Sequence, residues 1–155
     1  MNIFFDVDAT ILGGFDGSLR PGVVELFKRL RDDGHIIYIW SGVGLRWDDI
    51  DRHGLRPLIE TCFHKPRHDH HAQLVPLGVT VMPDFVIDDH AEVVQAFGGI
   101  TCYPFYYFDE RDREMERVYA AIVKAVSTRA EAAPTLGPSP AAAGEGSHTT
   151  LSTDS

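Results

Sequence analysis

Asp6 and Asp8 stand one residue apart at the end of an apolar run, Ile3-Phe4-Phe5. Two carboxylates that close repel each other unless a proton or a cation intervenes. An oxygen-ligand cation such as Mg²⁺ answers that requirement. A second acidic pair, Asp88-Asp89, closes another apolar run, Phe85-Val86-Ile87. Ser41-Gly42 follows a third run, Ile36 to Trp40, and Lys65 follows a weaker fourth, Ile59 to Phe63. Taken singly, the acids and Ser41-Gly42 are also what a turn or a helix cap requires, and Lys65 is also what a solvated surface carries.

The elements around these residues give them a common place. A buried parallel strand reads as a continuous apolar run. In an open α/β sheet, ligands bind beyond the carboxyl ends of the strands. The four runs above read as strands, and Ile100 to Tyr103 reads as a fifth. Between them, Gly13, Gly14 and Gly17 mark a turn or small hairpin. Val23, Val24, Phe27 and Leu30 give a helical pattern opened by Pro21 and stopped by Gly34. A short helix follows around Leu45, Trp47 and Ile50. Helices are also expected over Asp69 to Leu77, limited by Pro76, and over Ala91 to Phe97. The longest helix is expected over Asp109 to Val126. This alternation predicts an α/β domain, a parallel sheet with helices on both faces, over residues 1–126. From Ser127 the composition turns to Ala, Ser, Thr, Pro and Gly, and residues 127–155 read as a disordered tail.

The 155 residues suffice for one domain with a core, and 44% of them are hydrophobic. A net charge of −9 argues against broad attraction to nucleic acid or to an anionic membrane surface. An anionic small molecule stays open, because a bound metal reverses the local field. Cys62 and Cys102 make no disulfide framework. The opening apolar run is too short for a signal peptide, and no stretch has the length of a membrane-spanning helix. A soluble, cytoplasmic protein is the expectation.

The order and setting of these residues resemble the haloacid dehalogenase-like (HAD) superfamily of phosphohydrolases, in its compact, capless form. Asp6-Val7-Asp8-Ala9-Thr10 is similar to the family's first motif, Asp-x-Asp-x-Thr/Val. Ile36 to Ser41, Lys65 and Asp88-Asp89 follow the second, third and fourth. The resemblance covers roughly residues 1–126. It implies a three-layer Rossmann-like fold with strand order 5-4-1-2-3. It implies a phosphatase in which Asp6 is the nucleophile and forms an aspartyl-phosphate, and Asp8 is the general acid and base. Mg²⁺ would be held by Asp6, the Asp8 backbone carbonyl and Asp88, with Asp89 acting through water or by orienting Lys65. Ser41 and backbone N–H groups near it, Gly42 among them, would hold phosphoryl oxygens at a helix N-terminus. Lys65 would neutralise charge there. The connections after Thr10 and Ser41 are too short for a cap domain. An open site of this kind suits a phosphorylated small molecule or macromolecule, and closure by a homo-oligomer is a further option.

Two rival functions share these residues: a non-catalytic module of the same fold, and phosphotransfer to an acceptor other than water. Asp8 counts against carbon–halogen cleavage, which in the superfamily goes without the second Asp. Arg46 and Arg67 follow Ser41 and Lys65 and could contact a phosphate, although a surface role is the simpler expectation. His64, His68, His70, His71 and Cys62 fit no standard zinc spacing. Thr10 is expected to support its turn. Tyr103, Phe105, Tyr106, Tyr107 and Phe108 exceed what a core strand needs.

Overall fold

The computed structural model describes residues 1–134 and 137. Five strands form one all-parallel sheet: β1 (Asn2–Phe5), β2 (Ile36–Ser41), β3 (Thr61–His64), β4 (Phe85–Asp88) and β5 (Gly99–Thr101). Their order is β3-β2-β1-β4-β5, with every pair parallel. This is the expected order read from the opposite edge. β1 lies at the centre, between β2 and β4, which is why its apolar run is unbroken.

Helices α1 (Val23–Asp32), α2 (Trp47–Arg52) and α3 (Ala91–Phe97) lie in three of the four connections, α4 (Glu114–Ala132) is the last element, and the connection from β3 to β4 holds no helix. Alternation along the strands divides the core into two layers. Ile3, Phe5, Ile37, Ile39 and Ile87 point to one face, where α1 delivers Val23, Leu26, Phe27 and Leu30, and α4 delivers Met115, Val118 and Ile122. Phe4, Tyr38, Trp40 and Val86 point to the other, against Val93 of α3 and Leu74 and Val79 of a long connection. The spacing of the α1 residues, i, i+3, i+4 and i+7, is the stripe that buries a helix on a sheet.

Three sequence expectations need correction. Asp69 to Leu77 is a chain of turns and forms no helix. Its bonds alternate in span: Gln73 N–H donates to Asp69 O, then Leu74 N–H to His71 O. Pro76 has no N–H to continue the ladder, yet Leu74 still reaches the core. α1 begins at Val23 behind a left-handed Gly22 (φ 88°), so Pro21 lies outside its first turn. α4 begins later and ends later than expected, at Glu114 and Ala132. Asp112 accepts the Glu114 N–H at 3.1 Å and Asp109 accepts the Arg111 N–H at 3.0 Å, so both acids serve a turn ahead of the helix. At the far end, Ala133 is extended before Pro134, as a residue preceding proline prefers. The tail expectation therefore fails for residues 127–132, which are helical. For residues 135, 136 and 138–155 it lies outside the described residues.

No helix among the described residues is long and apolar enough to cross a membrane. Cys62 and Cys102 are both buried free thiols.

Candidate active site

Because the strands are parallel, Asp6, Ser41, Lys65 and Asp88 all emerge at one edge of the sheet. Asp6, Ser41 and Lys65 line a cleft of about 250 Å³, together with Asp8, Arg67 and His90, and Asp88 is buried behind Lys65. A larger hollow of about 520 Å³ lies elsewhere, beside Lys28, His35, Ile36 and Glu60, away from these strand ends. It gathers none of the candidate catalytic, phosphate-binding or metal-binding residues.

At the floor of the cleft, Lys65 Nζ donates to Asp6 Oδ1 and to Asp88 Oδ2, each at 2.9 Å. Asp88 is fully buried and Asp6 nearly so. Burial alone would lower the Lys65 pKa, but the charges of Asp6 and Asp88 outweigh it and raise it. Burial pushes the Asp88 carboxyl up, Asp6 adds to that, and Lys65 offsets only part. Asp89 is pushed up to about 6, first by burial and then by its hydrogen bond to Asp6 and the charge on Asp6. Thr10 is completely buried. Its hydroxyl lies 3.1 Å from Asp6 Oδ2 and 3.4 Å from Asp89 Oδ1, so one hydrogen serves two carboxylates. The turn that brings Thr10 back to Asp6 is closed by the N–H groups of Thr10, Ile11 and Leu12 on Val7 O. It holds Ala9 in the left-handed region (φ 59°), which costs a residue with a Cβ of order 1 kcal/mol.

Asp6, Asp88, Asp89 and His90 each offer a ligand atom within 4.8 Å of the others, close enough to hold a metal ion. Lys65 engages one oxygen of Asp6 and one of Asp88, which leaves the second oxygen of each for a cation. Three carboxylates against one ammonium also leave negative charge that a divalent ion would neutralise. The donor set therefore fits such an ion. The Asp8 side chain is outside this group.

Asp89 gives the metal-free protein a pH signature. The folded chain holds its proton up to about pH 6, and an unfolded chain only to roughly pH 4. Folding thus gains from protonated Asp89, and this gain is lost as pH rises through that window. In chelator, the melting temperature of the wild type should fall relative to Asp89→Asn as pH is raised from about 4 to about 7. A constant difference across that range would remove the assignment.

Asp8 stands at the lip of the cleft. Arg46 grips it with a fork, Nη1 to Oδ2 at 2.5 Å and Nη2 to Oδ1 at 3.0 Å. Arg46 also donates through Nε to Asp49 at 2.8 Å, and its Nη1 lies 3.4 Å from Ser41 Oγ. Burial opposes its charge, and the bonds to Asp8 and Asp49 more than restore it. The surface role expected for Arg46 is therefore wrong. Ser41 does not open a helix, since α2 begins only at Trp47. The Ser41 hydroxyl instead accepts the Val43 N–H at 3.3 Å. Arg67 packs on Gly42, where an added Cβ would meet its Cγ at 3.3 Å. The histidine cluster forms no metal group among the described residues; His71 Nε2 lies 2.6 Å from Ala96 O.

His90 and Thr10 are the members that sequence reading undervalued. The signal for His90 was its position directly after the acidic pair. Thr10 carried one too, the spacing of one helical turn from Asp6.

No protein-family model matches this chain, and no curated protein matches it.

Proposed function

We propose that this chain is a HAD-like phosphohydrolase that cleaves a phosphomonoester through an aspartyl-phosphate on Asp6, assisted by a divalent cation at Asp6, Asp88 and Asp89. The observation that carries the reading is the contact of Lys65 with both Asp6 and Asp88 at 2.9 Å, with Asp8 two residues from Asp6 at the mouth of the same cleft. Phosphoryl transfer asks a protein mainly for positioning and charge stabilisation, and this group has the means for both.

In this reading a carboxylate oxygen of Asp6 attacks phosphorus, and the bond from phosphorus to the leaving oxygen breaks. Asp8 delivers its proton to that leaving oxygen. Both Asp8 oxygens accept from Arg46 in the resting arrangement, so Asp8 must leave that fork and take up a proton from solvent before it acts as the acid. Asp8 then takes a proton from the water that attacks the aspartyl-phosphate, which frees orthophosphate and restores Asp6. Lys65 and Thr10 hold Asp6 in place, while Ser41, the Gly42 N–H and Lys65 receive phosphoryl oxygens. A bound divalent cation, Mg²⁺ in the family this chain resembles, would supply the charge that lets an anionic nucleophile approach an anionic phosphoryl group.

The test is a panel of phosphomonoesters with Mg²⁺ or Mn²⁺, with and without EDTA. It is followed by borohydride reduction, which converts an aspartyl-phosphate to homoserine. Release of phosphate that EDTA abolishes, with homoserine at position 6, is expected. Activity indifferent to EDTA, or label at another residue, would refute the reading. Phosphate passing to an added alcohol instead of water would favour the transferase.

A second reading, a binding module without catalysis, draws on the exposed aromatics. Phe15, Tyr106 and Tyr107 cluster with ring centres 5.1 and 5.3 Å apart, and Phe15 N–H bonds to Tyr106 O. A patch of this kind is a recognised mark of protein contact. No phosphate release across the panel together with a stable protein complex would support it.

A further inference from the structure

His90 lies between the acidic pair and α3. Its Nδ1 is 3.3 Å from Asp88 Oδ1 and 3.2 Å from Asp89 Oδ1, and its backbone N–H donates to the same Asp88 oxygen at 2.9 Å. A ring nitrogen and two carboxylate oxygens all present lone pairs, so such an approach needs a proton or a cation among them. The spacing suits a cation. Metal–ligand bonds of about 2.1 Å put donors on adjacent corners of an octahedron about 3 Å apart. Lys65 takes Asp88 through Oδ2, so the ammonium and the ring address different oxygens of that carboxylate.

Carboxylates alone suit Mg²⁺, which prefers oxygen and gives up water reluctantly. An imidazole changes the preference, because nitrogen donors favour the divalent first-row transition ions. We propose that His90 is a nitrogen ligand of the cation held by Asp6, Asp88 and Asp89, so that this site takes a divalent transition ion such as Mn²⁺, Fe²⁺ or Co²⁺ in preference to Mg²⁺. The inference rests on the metal site of the proposed function and adds the class of ion. The His90 side chain is 64% exposed, which leaves the ring room to settle on an ion and makes its removal harmless to the core.

Mn²⁺ bound to the full chain reports its own ligands through electron spin-echo modulation. A directly coordinated ¹⁴N is expected in the wild type and none in His90→Ala. The Mn²⁺ dissociation constant should rise about tenfold in that variant, and the Mg²⁺ constant, measured by competition, by less than about twofold. Absence of nitrogen coupling in the wild type, its survival in His90→Ala, or equal weakening of both ions would overturn the role of His90. Mn²⁺ bound through oxygen alone would do so while leaving the phosphohydrolase reading intact. A chain that binds neither ion would overturn both.

Discussion

Asp6→Asn should reduce phosphate release by a factor on the order of 10⁴ or more, the scale of loss when a covalent nucleophile is removed. The substitution is nearly isosteric, so the cleft keeps its shape. The amide oxygen can still accept from Lys65, but it is a far weaker nucleophile toward phosphorus than a carboxylate. Stability should hardly fall. Asp6 contributes to the upward shifts of both Asp88 and Asp89, so removing its charge relieves a crowded site while Lys65 keeps Asp88 as its partner. Steady-state turnover and a thermal melt on the same sample separate the two effects. An unfolded variant would say nothing of chemistry, whereas a folded variant with more than a few hundredths of wild-type turnover would take the nucleophile away from Asp6. Homoserine after borohydride should vanish in the same variant.

The strand ends were legible because burial leaves a local trace. β1, β2 and β4 are buried on both faces, so each is an unbroken apolar run, and the first polar residue after it marks the sheet edge. β3 lies at an edge and is only partly covered, which is why its run was weak. The bounds of α3 were legible from Asp88-Asp89 before it and Gly98 after it. Long-range pairing left no such trace. Nothing near Arg46 in the chain names Asp8, which lies 38 positions away. The contact of His90 with two neighbouring carboxylates depends on how the chain turns after β4. Asp112 looked like part of the last helix because its periodicity allowed it, and its bonds to Arg20 were invisible. The segment after Asp69 failed for a different reason: its polar residues allow a helix, and Pro76 with the pull of Leu74 and Val79 into the core decides otherwise.

Arg20→Met is expected to cost about 3–5 kcal/mol, the range for breaking a buried ion pair by removing one partner. Arg20 is 1% exposed and does what no adjacent residue announces. Its Nε and Nη2 each donate to Asp112 at 2.9 Å, one to each oxygen. Its Nη1 donates to Thr10 O at 3.1 Å and Tyr103 O at 2.8 Å, and its guanidinium lies 5.0 Å from the centre of the Phe105 ring. One side chain thereby ties the loop carrying Asp8 and Thr10 to the segment after β5 and to the approach to α4. Methionine fills the space of the stem but leaves Asp112 and two backbone carbonyls without that donor. For a chain of this size the loss is a fall in melting temperature of roughly 10 °C. Arg20→Lys should recover little, since an ammonium is a point charge and cannot reproduce the planar fork. Asp112→Asn keeps one acceptor oxygen and should cost less than Arg20→Met. Activity well below the melting temperature should fall as well, because Thr10 reaches Asp6 and Asp89 from a backbone that Arg20 fixes. A drop of only one or two degrees in Arg20→Met would mean that the loops around the cleft are held by their own packing. Full stability loss with unchanged turnover would mean that Thr10 needs no such anchor.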